Sequence, residues 1–156
     1  MHTSDYQIEK TRSPVILMTA AGERVEGDVF LQPYVVQRHG PEEVSDLLNG
    51  PEPFFPLRCR DGVIRFLQKE RIVEAELLDP PSDDDMRRRG AREACVELTR
   101  MTGESYTARI YYEVPTARPR LLDWLNRIEQ RFVLVHAAGG ARLVNWRALA
   151  VVRPLD

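Results

Sequence analysis

The chain has 156 residues, of which 43% are hydrophobic and 29% are charged, and its formal net charge is −2. This composition is typical of a globular protein, and its slight acidity is not the basic balance that nucleic-acid binding favours. It has no apolar run near the ~18–20 residues that span a bilayer, no apolar segment of a signal peptide in residues 1–12, and too few cysteines for a disulfide framework. We therefore expect a cytoplasmic protein with reduced thiols that does not insert into a membrane.

The first part of the chain predicts a β-hairpin followed by a short helix. After a polar lead of residues 1–13, an apolar run at 15–18 is typical of a strand, and residues 25–31 alternate between apolar and polar. Such alternation indicates a strand with one buried face. Pro41 suits the first helical position, and apolar residues follow at helical spacing until Gly50, which ends the helix.

More strands and a linker complete this half. Residues 55–59 alternate again, and a following Asp-Gly pair is a hairpin signal. Residues 63–67 and 72–77 predict either one bent strand or two. Residues 79–91 contain prolines, a block of three acids and a block of three arginines, and they predict a charged linker.

The second half repeats this plan. Strands are predicted at 95–98, 106–112, 132–135, 143–146 and 149–152. A helix is predicted from Pro119, longer than its counterpart, with an apolar face made of Leu121, Leu122, Leu125 and Ile128.

A constant offset relates the two halves. Asp46 and Asp123 lie 77 positions apart, and the same offset relates the other residues of a repeated signature: Asp46, Asn49, Phe55, Leu57, Asp123, Asn126, Phe132 and Leu134. Upstream of this core the offset is 81, so the first copy carries four extra residues, as a loop insertion would. We predict an internal duplication of a β-β-α-β-β(-β) unit, with copies at 14–78 and 92–156.

The predicted fold is mainly β with short helices, in the α+β class. Each copy is small enough that its sheet must curl to bury one face. We expect two small barrel-like or sheet-plus-helix subdomains, or a single continuous sheet shared by both copies.

The order of elements resembles that of small Sm-like or SH3-like barrels. The resemblance rests on residues 18–29, the D-x-x-N element at 46–49 and residues 66–72. It implies a small barrel in each copy. The arginine–glycine pair of the last Sm motif is replaced by Lys69-Glu70 and Trp146-Arg147, so RNA binding is an alternative that the resemblance supports only weakly.

An arginine cluster before the second copy resembles the arm of PilZ domains, which bind cyclic di-GMP. Arg88 and Arg92 have the R-x-x-x-R spacing of that arm, and Arg87 and Arg89 lie beside them. Arginine would suit such a ligand because its planar fork grips phosphate and stacks on a base. The second motif of that family is absent downstream, which favours a charged linker over a nucleotide site.

Aromatic and arginine side chains concentrate in the second copy, and protein interfaces favour both. The predicted interaction surface consists of Arg109, Tyr111, Trp124, Arg142, Trp146 and Arg147. The alternative is that these side chains belong to an ordinary core.

The remaining candidate sites are interpreted as structural. The repeated Asp and Asn residues are expected to bond backbone groups at the helix end and the adjoining turn. His39, His136, Cys59 and Cys95 lack metal-ligand spacing, so no metal is expected. No phosphate-binding loop or nucleophile motif occurs, and we predict neither an enzyme nor a cofactor.

These observations lead to one main hypothesis. The chain is predicted to be a non-catalytic interaction, scaffold or regulatory module that self-associates or binds a bacterial partner protein. The alternatives are a protein that binds a nucleotide second messenger and a small-barrel protein that binds RNA.

Overall fold

The structure is a computed structural model that describes residues 10–81, 90–113 and 120–155. Within these ranges the fold is mainly β, with ten antiparallel strands in one open sheet and two short α-helices. The strands are β1 (Thr11–Thr19), β2 (Arg24–Leu31), β3 (Phe54–Cys59), β4 (Ile64–Gln68), β5 (Ile72–Leu77), β6 (Arg92–Arg100), β7 (Ser105–Tyr112), β8 (Phe132–Ala137), β9 (Gly140–Asn145) and β10 (Leu149–Pro154). The helices are α1 (Val44–Asn49) and α2 (Leu121–Leu125), and 3₁₀ turns lie at Lys69–Arg71 and Trp146–Ala148.

The strand order is the same in both halves of the sheet. The full order is β10-β6-β7-β8-β9-β5-β1-β2-β3-β4. Each half therefore places its fifth strand beside its first, and its fourth strand at the far end. The halves meet where β9 pairs with β5, and the sheet is continuous, which is the second of the two arrangements that the sequence left open. The outermost strands are β4 and β10.

Alternating burial explains the hairpins. In β1 and β2, Val15, Leu17 and Val29 are fully buried while their neighbours along each strand are more exposed. The turn of this hairpin places Gly22 at φ 85°, and the matching turn of the second half places Gly103 at φ 98°. Only glycine adopts this conformation without strain, so the turns are encoded at equivalent positions.

The first helix is close to its prediction. Glu43 is the N-cap of α1, and its side chain and that of Asp46 form a reciprocal capping box. Val44 and Leu48 are buried, and the helix ends at Gly50. The sequence therefore predicts the C-terminal end and the buried face of α1, whereas the helix begins at Val44 and not at Pro41 as expected.

The second helix differs from its prediction. It spans five residues against six in α1, so the expectation of a longer helix is wrong. Leu122 is 63% exposed and does not belong to an apolar face, and Ile128 follows the end of the helix. Pro119 lies outside the described residues.

Two apolar clusters form on the sheet, and β9 contributes to both. Leu143 belongs to the first cluster, together with Leu17, Leu48 and Ile72 of the first half. Val144, the next residue of β9, belongs to the second cluster, together with the side chains of β6 and β7. Both faces of β9 are therefore covered. In the described ranges no helix is both long and apolar enough to span a membrane.

Candidate interaction surface

Strand β4 presents a bare edge and a bare face. Within the described residues it pairs only with β3. Ile64 is 43% exposed and Phe66 is 75% exposed, and the two alternate on one face of the strand. Phe54 and Val63 nearby are also exposed. An unpaired strand edge with exposed apolar side chains is a template on which another strand can pair.

Strand β10 is the other bare edge. Within the described residues it pairs only with β6. Val151 is 51% exposed, and Leu155 just after the strand is also exposed. The sheet therefore ends on both sides in an apolar edge.

The junction between β5 and β9 shows how two such edges combine. Glu74, Ala75 and Glu76 of β5 lie opposite Val144, Leu143 and Arg142 of β9, respectively. Ala75 and Leu143 are both buried at this junction. A short antiparallel ladder with an apolar centre therefore joins the two halves.

An ion cluster closes one side of the junction. The carboxylate of Glu74 accepts hydrogen bonds from Arg100 Nε at 2.8 Å and from Arg142 Nη1 at 3.0 Å. Both guanidinium groups also lie over the ring of Tyr106, at 5.1 and 4.6 Å from its centroid. The bond to Glu74 raises the pKa of Arg100, and burial, with the charge of Glu74, raises the pKa of Tyr106 to about 12. The cluster therefore favours the charged form of Arg100 and the neutral form of Tyr106.

Two asparagines fasten the other side of the junction. The side chain of Asn49, at the end of α1, donates to Phe132 O at 2.9 Å and accepts from Phe132 N at 2.8 Å. Asn145 Nδ2 donates to Ile72 O at 2.9 Å. Each bond satisfies a backbone group of the opposite half, which fixes the register of the junction.

The repeated signature is only partly local in its bonding. Asp46 accepts from Glu43 N at 2.9 Å, so it caps the start of α1 rather than its end. Asn49 reaches β8 of the other half, not the adjoining turn. Asn126, its counterpart, is exposed, and Asp123 lies 3.8 Å from Arg120 Nε. The expectation of backbone bonds at the helix end is therefore corrected for Asp46 and Asn49.

The loop between β2 and α1 folds back on α1. Arg38 donates from Nε and Nη2 to the two oxygens of Asp46, both at 2.6 Å. Burial of Asp46 disfavours its charge, but the bonds from Arg38 and Glu43 N outweigh burial and hold its pKa below the usual value. His39 is exposed and has a φ of 57°.

The predicted interaction residues include several that pack inside the second half. Tyr111 is buried, and its ring lies 5.6 Å from that of His136. Trp124 contacts Tyr112 and Trp146, with centroids 5.5 and 5.9 Å apart. Tyr112, Trp124 and Trp146 belong to or pack against the second apolar cluster, whereas Tyr111 does not. Their contact with a partner stays a prediction.

The three arginines of that predicted surface have different surroundings. Arg142 forms an ion pair with Glu74 at the junction. Arg109 is exposed and donates to Glu93 at 3.2 Å. Arg147 is exposed, in the 3₁₀ turn before β10. The structure brings none of the three together with another as a shared patch.

The arginine arm lies largely beyond what the structure describes. Arg87, Arg88 and Arg89 are outside the described residues, and Arg92 is exposed at the start of β6. Nucleotide binding by this arm stays a prediction.

An open cleft lies at the end of the first half, beside the β4 edge. Its lining includes Thr19, Val25, Arg65 and Leu67. Arg65 donates to Asp61 at 3.2 Å, and this bond holds the pKa of the Asp61 carboxyl below its usual range. Among the residues that the structure describes, no three of the types His, Cys, Asp and Glu are grouped so as to hold a metal ion.

The interaction surface predicted from the sequence did not include Ile64, Phe66 or Val151. The signal was present, because Phe66 corresponds to Leu143 and Val151 to Glu74 at the offset of 77. What periodicity could not indicate is that one member of each pair is covered and the other exposed.

No protein-family model matches the chain, and no curated protein or solved structure matches it either.

Proposed function

We propose that this chain is a non-catalytic interaction module that binds protein through the free edges of its sheet. The observation that carries the proposal is the exposed apolar strip of Ile64 and Phe66 on the unpaired strand β4. Contiguous exposed apolar side chains mark interaction sites more often than solitary ones do. A bare strand edge adds backbone donors and acceptors, which is the basis of binding by strand addition.

We further propose that the module arose by duplication of one β-β-α-β-β-β unit, with copies at residues 14–78 and 92–156, each a curled sheet with a helix. The identical strand order in the halves supports this, as do the glycines at equivalent hairpin turns. A duplicated unit carries each of its edges twice. One edge of each kind is used internally, and one of each kind remains for a partner.

A site-specific photocrosslinker tests the proposal. The crosslinking amino acid would replace Phe66 in the full chain, and in a matched control it would replace Met101, which is equally exposed in the turn between β6 and β7. Irradiation in an extract of the source cells should join the Phe66 variant to protein, and the Met101 variant much less. Equal adduct yields from the two positions would overturn the assignment of the β4 edge as the binding site.

A further inference from the structure

The internal junction specifies the geometry of a second, intermolecular one. The register of β5 on β9 pairs residues 74, 75 and 76 with 144, 143 and 142. Adding the offset of 77 to the β5 residues gives Val151, Val152 and Arg153 of β10, and subtracting it from the β9 residues gives Leu67, Phe66 and Arg65 of β4. Both of these strands are edges of the sheet. The chain therefore presents the two complementary halves of a junction that it already forms once.

Apolar burial at the internal junction supports this correspondence. Ala141 and Leu143 of β9 are 4% and 1% exposed because the first apolar cluster covers them. Their counterparts on β4 are Ile64 and Phe66, which are exposed. In a second copy, β10 and α2 correspond to the β5 and α1 that cover β9. They carry the partly buried Val152, Leu121 and Trp124 on the second cluster, which would cover Ile64 and Phe66.

The polar residues of the internal junction differ from the corresponding residues at the two free edges of the sheet. Internally, the acid Glu74 meets Arg100, Arg142 and the ring of Tyr106. At the offset of 77, Glu74 corresponds to Val151 and Arg142 to Arg65. At the upstream offset of 81, Arg100 corresponds to Thr19 and Tyr106 to Val25.

These replacement residues lie in a cleft that is partly apolar and partly charged. Thr19, Val25 and Leu67 line the open cleft beside β4, together with the charged residues Glu23, Arg24, Glu26, Arg60, Asp61 and Arg65. Val151 of another copy would meet the apolar part of this cleft. Arg65 is bonded to Asp61, and Arg153, which would lie opposite it, is bonded to Glu97 in its own chain. The buried acid of the internal junction is thus replaced by a valine.

The hydrogen bonds that Asn49 makes across the internal junction can be compared with their counterparts in the same way. Asn49 bonds the backbone of Phe132 in both directions. At the offset these residues correspond to Asn126 and Phe55. Asn126 is exposed, and on β3 the pairing with β2 ends at Leu57, before Phe55 is reached. Phe55 is only 1% exposed within its own chain, so the bonds of Asn49 are not reproduced at the proposed contact, which depends on the strand edges and their apolar side chains.

We propose that the partner of this module is a second copy of the same chain, bound head to tail, with β10 of one copy paired antiparallel to β4 of the next. This inference rests on the proposed function and names its partner. Because the two edges differ, the contact is heterologous, and each added copy leaves one β4 and one β10 free. Such contacts close into a ring or extend as a filament, depending on the rotation between copies.

Complementation between two edge variants tests the proposal. Phe66→Asp places a charge on β4 and leaves β10 intact, whereas Val151→Lys blocks β10 and leaves β4 intact. Lysine is chosen at 151 because a lysine on an edge strand is a common means of preventing strand pairing. Both side chains are exposed, so the variants should fold, which circular dichroism checks. Met101→Asp is the control outside both edges.

Sedimentation velocity over a range of protein concentrations gives the result. The wild-type chain and Met101→Asp should assemble beyond the dimer, and each edge variant alone should remain monomeric. An equimolar mixture of the two edge variants should form a 1:1 dimer, because one intact β4 and one intact β10 remain. A monomeric wild-type chain would overturn self-assembly, and an assembling wild type whose edge variants fail to form a dimer would overturn the head-to-tail contact. Neither result would remove the proposed function if Phe66 crosslinks to another protein.

Discussion

Strands β9 and β4 occupy the same place in the two halves but have opposite surroundings. β9 pairs on both sides, with β8 and β5, and its two faces belong to two apolar clusters. β4 pairs only with β3 among the described residues, and Phe66 on it is exposed where Leu143 is buried. The comparison teaches that burial here is decided by which neighbour is present, since both positions carry large apolar side chains.

Strand β5, which pairs with β9, also differs from its counterpart β10 at the free edge. Glu74 is buried against two arginines, whereas its counterpart Val151 is exposed. A buried acid is tolerated only when it is paired. The internal junction holds such a group because Arg100 and Arg142 pair with it, whereas the free edge carries an uncharged valine at the corresponding position.

The largest loss in the free energy of unfolding is expected from Glu74→Gln. This change leaves Arg100 and Arg142 without their shared carboxylate in a largely buried site. Removing one partner from a buried ion pair costs about 3–5 kcal/mol. Urea denaturation of dilute protein should show this loss in the free energy of unfolding. The counterpart change Val151→Ala should cost far less, and equal losses would contradict the assigned difference between junction and edge.

Leu143→Ala is the next test. Leu143 is fully covered at the junction, and truncation of a buried leucine costs about 2–5 kcal/mol. Phe66→Ala in dilute, monomeric protein should change the free energy of unfolding by no more than about 0.5 kcal/mol, as at other surface positions. Urea midpoints of the two variants measure the difference. A Phe66→Ala loss as large as that of Leu143→Ala would mean that Phe66 is covered within a single chain.

Asn49→Ala should have an intermediate effect. It leaves the N–H and C=O of Phe132 without the bonds that Asn49 supplies, and an unsatisfied buried group costs about 1–3 kcal/mol. Asn126→Ala is the matched control, because Asn126 is exposed, and in dilute protein it should leave the thermal midpoint nearly unchanged. A similar fall in the thermal midpoint for both variants would show that the two asparagines stabilise a single chain equally, which would contradict the assigned difference.

The smallest effect, and the one that depends on pH, is expected from Asp46→Asn. The pKa of Asp46 is lowered in the folded chain, so folding gains from its ionised form. That gain is present above the ordinary Asp pKa of about 3.9 and is lost as the pH falls through the lowered folded value. Because the pair with Arg38 is partly exposed, the gain should be below about 1 kcal/mol.

Unfolding of Asp46→Asn and wild type should therefore be compared at neutral pH and at a pH well below the ordinary Asp pKa. The wild type should be more stable at neutral pH, and the two curves should converge in acid. A difference that is unchanged in acid would show that the carboxylate charge is not responsible.

Local structure was predictable wherever a local signal existed. Strand alternation predicted the buried face of β2, and Gly50 marked the end of α1, although the helix begins three residues after Pro41. The offset of 77 relates Phe66 of β4 to Leu143 of β9 in the sequence alone. By contrast, α2 was overestimated because Leu122 and Ile128 have helical spacing, although one is exposed and the other follows the helix.

Long-range pairing was not predictable in the same way. The pairing of β5 with β9 joins residues about 70 positions apart, and alternation shows which face of a strand is apolar without showing what covers it. The same limit applies to Tyr111, because spacing does not indicate that its ring lies beside that of His136. The groups that Glu74 and Asn49 contact lie in the other half of the chain, where no sequence spacing points to them.

Hydrogen exchange at low and high protein concentration tests the central claim most directly, that β4 is the unfilled counterpart of β9. The account predicts that backbone amides of β4 and β10 gain protection as the concentration rises, while those of β9 and β5 are protected at both concentrations. Protection that never appears on β4 and β10, or that appears instead at the turn around Met101, would contradict it.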